Sequence, residues 1–164
     1  MRPVLAAVAS RTLVAADLPD LEDHALLRAI LDRGAIAGPA RPWLEVRSSY
    51  ERALRARSLG VVEDTEAHLA QLVLCADPDA LADLRAQVLA PLEGLRPGSA
   101  DKLADTLRSW LLHHGRREDV AEELFVHPQT VRYRMGQLRD LYGDRLDDPA
   151  TVLALTIALG ADSV

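Results

Sequence analysis

The segment REDVAEELFVHPQTVRYRMGQLRDLYG, residues 117–143, decides how this chain folds. Val120 and Leu124 lie four residues apart and predict one side of a short helix. Pro128 cannot continue that helix, because proline has no N–H and forces the preceding residue into an extended conformation. Proline does suit the first turn of a new helix, which the sequence predicts to run from Pro128 and to stop at Gly143. The segment is therefore predicted to form two helices joined by a tight turn.

The second predicted helix has one apolar face and a polar, basic remainder. Its predicted buried residues are Val131, Met135, Leu138 and Tyr142. The candidate DNA-binding residues are His127, Gln129, Thr130, Arg132, Tyr133, Arg134 and Arg139. The helix contains three arginines among these candidates and one acidic residue, Asp140, so its net charge is +2. The whole chain has a net charge of −6. Glutamine can pair with adenine, arginine with guanine, and threonine with a base or a thymine methyl, so the pattern predicts a helix that reads the major groove.

Other interpretations of these residues remain open from the sequence alone. Ala121 is small enough for two helices to cross closely, but a plain helical bundle with solvated arginines would show the same periodicity. His127 could cap the second helix or contact a phosphate. Tyr133 could pack against the fold or contact a base.

The remainder of the chain predicts a mainly α fold with a small N-terminal α/β portion, too short for a complete α/β domain of the usual size. Abundant Ala, Leu and Arg and few aromatic residues favour helices. Two apolar runs, Val4–Val8 and Thr12–Ala16, predict a β-hairpin, and Ala35–Ala37 predicts a third strand. Helices are predicted from Asp20 to Gly34 and from Pro42 to Leu59.

Further helices are predicted towards the C-terminus. One runs from Thr65 to Cys75, and the next begins at Asp77, a good N-cap. Ser99 is predicted to cap another, and Asp148-Pro149 to start the last. The predicted domains are a partial α/β region at 1–62, a helical linker region at 63–98 and a helix-turn-helix domain at 99–164, with Pro97-Gly98 marking the final boundary.

Composition limits the class of protein further. Cys75 is the only cysteine, which excludes an internal disulfide and fits a reducing compartment. No apolar run approaches the roughly 20 residues that cross a bilayer. The acidic net charge argues against a chain that coats nucleic acid by bulk attraction. We therefore expect a soluble, cytoplasmic protein with no membrane contact, whose basic surface is local.

The C-terminal sequence also carries a specific resemblance. The run from Leu124 to Met135, followed by Leu138, Leu141-Tyr142-Gly143 and Leu146-Asp147-Asp148-Pro149, closely resembles the C-terminal helix-turn-helix of PucR/CdaR-type transcription regulators. This resemblance implies that the helix starting at Pro128 is the DNA-reading element of a sequence-specific regulator. The N-terminal part is more weakly similar to the tail of the cyclase-like, GGDEF-related domain that often precedes this module.

Catalysis is not predicted. The sequence has no glycine-rich phosphate loop and no Gly-Gly-Asp/Glu-Glu-Phe signature, and His113 and His114 are adjacent, so on a helix they point about 100° apart. We expect no cofactor and no metal site. The predicted partners are double-stranded DNA and a second copy of the chain, because a dimer doubles the contacts on paired half-sites. The alternative is a helical module that mediates protein–protein interaction or dimerisation and does not bind DNA. The effector is unknown, since the sequence shows no pocket for one.

Overall fold

The fold was examined in a computed structural model, which describes residues 3–9, 12–17, 35–61 and 65–160. The chain divides into two units, Met1–Ala76 and Asp77–Val164. The helix predicted from Asp20 to Gly34 lies outside the described residues. Helices predominate and strands are confined to the N-terminal unit, so the predicted mainly α fold class with a small N-terminal α/β portion is confirmed.

The N-terminal unit contains a small antiparallel sheet. Strand β1 (Pro3–Ala9) pairs with β2 (Thr12–Asp17), with Ala9 opposite Thr12, so the predicted hairpin is confirmed. Strand β3 (Ile36–Ala37) pairs with the other edge of β1, which confirms the predicted third strand. A further short strand, β4 (Arg41–Pro42), also pairs with β1.

Helix α1 (Val46–Ser58) starts later than predicted. The prediction of a helix from Pro42 is wrong at its start, because Arg41 and Pro42 pair with β1 and the chain then makes a 3-10 turn at Trp43–Glu45. α1 approaches the loop after β3 so closely that a Cβ at Gly38 would collide with the Ser49 backbone.

A second helical segment completes the described part of this unit. Residues Thr65–His68 form a 3-10 turn that leads into α2 (Leu69–Leu74), where the sequence predicted one continuous helix. The small core of the unit consists of Ile36, Ala53, Ala56, Val61 and Leu72.

The C-terminal unit is entirely helical in its described residues. Its helices are α3 (Pro78–Leu89), α4 (Pro97–Leu112), α5 (Arg117–Glu123), α6 (Pro128–Tyr142) and α7 (Pro149–Gly160). Short 3-10 turns, Ala90–Leu92 and Gly143–Leu146, follow α3 and α6. The segment 63–98, predicted as a linker region, is divided: α2 falls in the N-terminal unit, and α3 adds Val88 to the C-terminal core.

The predicted helix starts at Asp77 and at Asp148-Pro149 are confirmed. Asp77 accepts a hydrogen bond from the Ala80 N–H at 3.0 Å, and Asp148 accepts one from the Thr151 N–H at 2.9 Å. The prediction that Ser99 caps α4 is wrong, because α4 already begins at Pro97, where a missing N–H costs nothing in the first turn.

The core of the C-terminal unit draws on all five of its helices. Val120, Val131, Leu107, Leu138 and Leu155 are fully buried. Tyr142 is also buried and donates a hydrogen bond from its hydroxyl to the Val88 carbonyl at 2.9 Å, which ties α6 to α3. Because these contacts hold α6 by one face only, its opposite face is left for other contacts. None of the helices that the structure describes has the length and apolar content needed to span a bilayer.

Candidate DNA-binding surface

Helices α5 and α6 are joined by a tight turn at the position predicted from the sequence. The Val126 N–H donates to the Ala121 carbonyl at 2.9 Å and the Phe125 N–H to the Glu122 carbonyl at 3.2 Å, which is the hydrogen-bond pattern of a Schellman cap. Phe125 adopts the left-handed φ of +52° that glycine usually supplies at such a turn. Ala121 is 5% exposed, so its small side chain lies in the packed interior of the motif.

Helix α6 is capped at both ends. Nδ1 of His127 accepts a hydrogen bond from the Gln129 N–H at 3.1 Å, and Pro128 occupies the first helical position. Of the two roles left open for His127, the structure therefore shows the capping role. Gly143 ends the helix with a φ of +57°.

The two faces of α6 differ as predicted. The buried residues are Val131, Met135, Leu138 and Tyr142, all of which were predicted. The exposed candidates are His127, Gln129, Arg132, Tyr133 and Arg139, while Thr130 and Arg134 are half-buried. Tyr133 is 66% exposed, so this residue lies on the outer surface and not in the core. The structure thus gathers all seven candidates on the start, flanks and outer face of one helix.

The three arginines of α6 differ in their surroundings. The Arg134 guanidinium donates to the Thr106 hydroxyl on α4 at 3.2 Å. The Arg139 guanidinium lies 6.0 Å from the centre of the Trp110 ring, at the outer limit of a cation–π contact. Arg132 forms no ion pair or side-chain hydrogen bond with the residues that the structure describes. Arg132 is therefore the arginine whose replacement should perturb the fold least.

Of the clefts that border α6 in the described part of the chain, two are lined in part by basic residues from outside this helix. The larger, which we call the Arg134 cleft, has a volume of about 670 Å³ and lies between α6 and residues 94–103. Its cationic side chains are Arg96, Lys102 and Arg134. The smaller, which we call the Arg132 cleft, has a volume of about 250 Å³ and is lined by Trp110, Arg117, Arg132, Met135 and Arg139.

Three of these cleft cations were missed from the sequence. Arg96, Lys102 and Arg117 lie outside α6, and the sequence gives no direct sign of which helices adjoin it. One available signal was the position of Arg117 in the first turn of the first helix, since that helix crosses the DNA backbone in helix-turn-helix complexes.

A polar cluster fastens α5 to α4. The Glu123 carboxylate accepts hydrogen bonds from the Ser109 hydroxyl and, at 3.1 Å, from the Arg108 guanidinium. Nε2 of His113 lies 2.9 Å from the same carboxylate. The Ser109 hydrogen bond, followed by the His113 contact and the Arg108 charge, holds the pKa of Glu123 below its ordinary value of 4.5. We call this cluster the Glu123 clamp; it fixes the first helix of the motif in place.

Comparison with known proteins gives a family match for this part of the chain. Residues 103–161 match the family model described as the PucR C-terminal helix-turn-helix domain. The purine catabolism regulatory protein of Bacillus subtilis is 39% identical over 57 residues, which cover 35% of this chain and 11% of that protein.

Similarity to two mycobacterial proteins extends beyond the helix-turn-helix. Uncharacterized proteins of Mycobacterium tuberculosis and Mycobacterium bovis are each 31% identical over 150 residues, covering 81% of this chain. The chain spans about a third of the length of these relatives, 33% in each case.

The family match covers only the C-terminal part of the chain. The matched segment, residues 103–161, does not include the N-terminal unit. The cyclase-like origin of the N-terminal part therefore stays a prediction. For the C-terminal part the predicted resemblance is confirmed, because α5, the turn and α6 all lie within a segment that matches the PucR C-terminal helix-turn-helix domain.

Proposed function

We propose that this chain is a sequence-specific DNA-binding transcription regulator of PucR type that places α6 in the major groove. The family match of residues 103–161 supports the class of function. The observation that carries the proposal is the outer surface of α6, where Gln129, Arg132 and Tyr133 are exposed on a helix held to the core by its opposite face. The proposal includes no catalytic step and no cofactor.

The side chains near the start of α6 have the chemistry of base readers. Gln129 can form a paired contact with the adenine edge and Arg132 with the guanine edge, and Thr130 can meet a base or a thymine methyl. In helix-turn-helix complexes the N-terminal residues of the second helix touch the base edges, which are the positions these residues occupy in α6.

The other candidates have supporting roles in the proposal. Arg134 and Arg139 are anchored by Thr106 and Trp110, so their charges are held beside α6 where phosphates would pass. Tyr133 can donate its exposed hydroxyl to a phosphate or a base. His127 serves the surface by capping α6 and so setting the direction of Gln129.

The test begins with the full chain and a pool of random duplex DNA. Sequences retained by the wild type define a site, and Kd is then measured for that site and its single-base variants. Arg132→Ala should weaken binding by about 1–3 kcal/mol, roughly 5- to 150-fold, and relax the preference at one base pair. Arg145→Ala removes an exposed arginine beyond the end of α6 and should leave both the affinity and the preference nearly unchanged.

Two results would contradict the proposal. One is an Arg132→Ala variant with the Kd and base preference of the wild type, which would mean that another surface reads DNA. The other is a pool from which no sequence is enriched, which would favour the alternative of a helical protein-binding or dimerisation module.

The proposal also includes homodimerisation. A single α6 of 15 residues offers few base contacts, and a two-fold dimer would double them on paired half-sites. The enriched sequences report on this directly, because a dimer selects two half-sites related by symmetry and spaced by about one helical turn, or a multiple of it.

A further inference from the structure

We propose that the Arg134 cleft and the Arg132 cleft each bind a backbone phosphate of the duplex that α6 enters. One cleft contacts one strand, and the other cleft contacts the other strand. This inference rests on the proposed function and adds contacts outside α6. It assigns Arg96 and Lys102 to one strand and Arg117 to the other.

The two clefts lie on opposite flanks of α6. Successive helical residues are about 100° apart around the axis, so Arg134 is displaced by about 200° from Arg132. Arg134 and Leu141 face the larger cleft, whereas Arg132 and Arg139 face the smaller one. The outer face of the helix runs between the two clefts.

A duplex presents phosphates to both flanks of a helix in its major groove. That groove is about 12 Å wide, which admits one helix between the two sugar–phosphate backbones. Each flank therefore faces one strand, and a cleft with cationic walls on each flank matches this arrangement.

The charges of the cleft walls are free to act on a ligand. The side chains of Arg96, Lys102 and Arg117 form no ion pair or hydrogen bond with the described residues. Other basic residues nearby are neutralised, since Arg108 pairs with Glu123 and Arg116 pairs with Asp119 at 2.9 Å. In a chain of net charge −6, both clefts thus present cations that no described side chain neutralises.

One acidic residue limits where the phosphate lies in the larger cleft. Asp140 also lines that cleft, but it lies ten residues after Thr130, or about 15 Å along the axis of α6. Repulsion by the Asp140 carboxylate favours a phosphate nearer the start of α6, on the side of Arg134. The hydrogen bond from Arg134 to Thr106 holds the guanidinium on that wall.

The smaller cleft combines charge with a rigid wall. Trp110 forms one side, and the Arg139 guanidinium lies over its ring. Arg117 adds a second cation from α5, and Arg132 occupies the edge beside the base-reading face. A phosphate here would contact cations from two helices at once, which fixes the motif on the backbone.

The experiment measures how Kd depends on salt concentration, using the whole 164-residue chain and a DNA site enriched by the wild type. Each phosphate contact contributes about 0.9 to the slope of log K against log salt concentration. Arg117→Ala should lower that slope by about 0.9, and the double variant Arg96→Ala/Lys102→Ala by about 0.9 as well, because one phosphate is assigned to each cleft. The preference among single-base variants of the site should not change. Arg116→Ala is the matched control, because it removes the adjacent arginine that is already paired with Asp119.

A second measurement does not depend on substitution. Lys102 is the only lysine in the chain, so acylation of its amine can be followed at a single site by mass spectrometry. Bound DNA should slow acylation of Lys102 several-fold, while DNA lacking the enriched site should protect it only at low salt.

The outcomes separate this inference from the proposed function. If the wild type binds its site selectively but Arg117→Ala and the double variant keep its salt slope, the clefts hold no phosphates and the inference fails alone. A slope lowered by only one of the two substitutions contradicts the assignment to two strands. Acylation of Lys102 at the same rate with and without the site contradicts the larger cleft. A wild type without selective binding overturns the proposed function itself.

Discussion

Replacing Tyr142 with phenylalanine tests how the C-terminal core positions α6. The Tyr142 hydroxyl donates to the Val88 carbonyl at 2.9 Å, and both residues are 4% exposed. That carbonyl belongs to the last turn of α3, just before the 3-10 turn at Ala90–Leu92. Losing this buried hydrogen bond should lower the free energy of unfolding by about 1–2 kcal/mol. For a domain of this size, Tm should then fall by about 4–16 °C.

Urea denaturation is the direct assay. Trp43 and Trp110 are the only tryptophans, so a Trp43→Phe background lets Trp110 fluorescence report on the C-terminal unit. The midpoint should fall while the m-value stays constant, since the same surface is exposed on unfolding. Tyr133→Phe is the matched control: its hydroxyl is exposed and meets only the Gln137 amide at 3.4 Å, so we expect a change below about 0.5 kcal/mol.

The same side chain predicts an alkaline transition. Burial raises the pKa of Tyr142 to about 12, from an ordinary value of 10.0. As the pH rises from 10 towards 12, the unfolded tyrosine loses its proton and the folded one keeps it, so stability falls across this window. The decline should be shallower in Tyr142→Phe. An unchanged urea midpoint in that variant would refute the role assigned to the hydrogen bond.

Two further predictions concern the helix-turn-helix. Gly136→Ala should stabilise the protein by about 1 kcal/mol in urea denaturation, because a Cβ there would meet no atom within 4 Å and glycine is a poor helix former. Gly143→Ala should destabilise the protein, because Gly143 has a φ of +57°. Equal effects of the two substitutions would show that helix propensity is not the cause. The pKa of Glu123 is lowered in the folded protein, chiefly by its hydrogen bond from Ser109. The wild type should therefore have a higher free energy of unfolding than Glu123→Gln above pH 4.5, and this difference should shrink as the pH falls below that value. A difference in free energy of unfolding that is constant from pH 3 to pH 7 would contradict the clamp.

The helix-turn-helix itself could be predicted because its signals are local. Pro128 lacks an N–H and Gly143 accepts a positive φ, so the sequence alone sets the two ends of α6. The spacing of Val131, Met135 and Leu138 likewise sets its buried face. Each of these effects acts within a few residues of its cause, and the structure agrees with each of them.

The surroundings of the arginines could not be predicted in this way. Arg134 and Arg139 differ from Arg132 only because Thr106 and Trp110 on α4 lie beside them, 28 and 29 positions earlier in the chain. Which residues of α4 face α6 depends on packing between helices, which periodicity does not specify. The cationic lining of the two clefts was missed for the same reason.

The start of α4 shows a conflict between two local signals. Ser99 is a good N-cap and Pro97 a good first residue, and both fit the sequence. The structure starts the helix at Pro97 and leaves Arg96 at the cap without a side-chain hydrogen bond. Sequence patterns therefore located the element but placed its N-cap three residues late, at Ser99 instead of Arg96.

The Glu123 clamp has a consequence for the thermodynamics of association. α5 has only seven residues, a length at which an isolated helix is unstable in water. Bonds from Ser109, Arg108 and His113 keep it ordered through contacts made within the chain. A preorganised motif loses little conformational entropy on meeting its target, so encounter is limited by diffusion and charge and not by a folding step. If α6 binds DNA as proposed, Ser109 thereby helps to set how rapidly the complex forms.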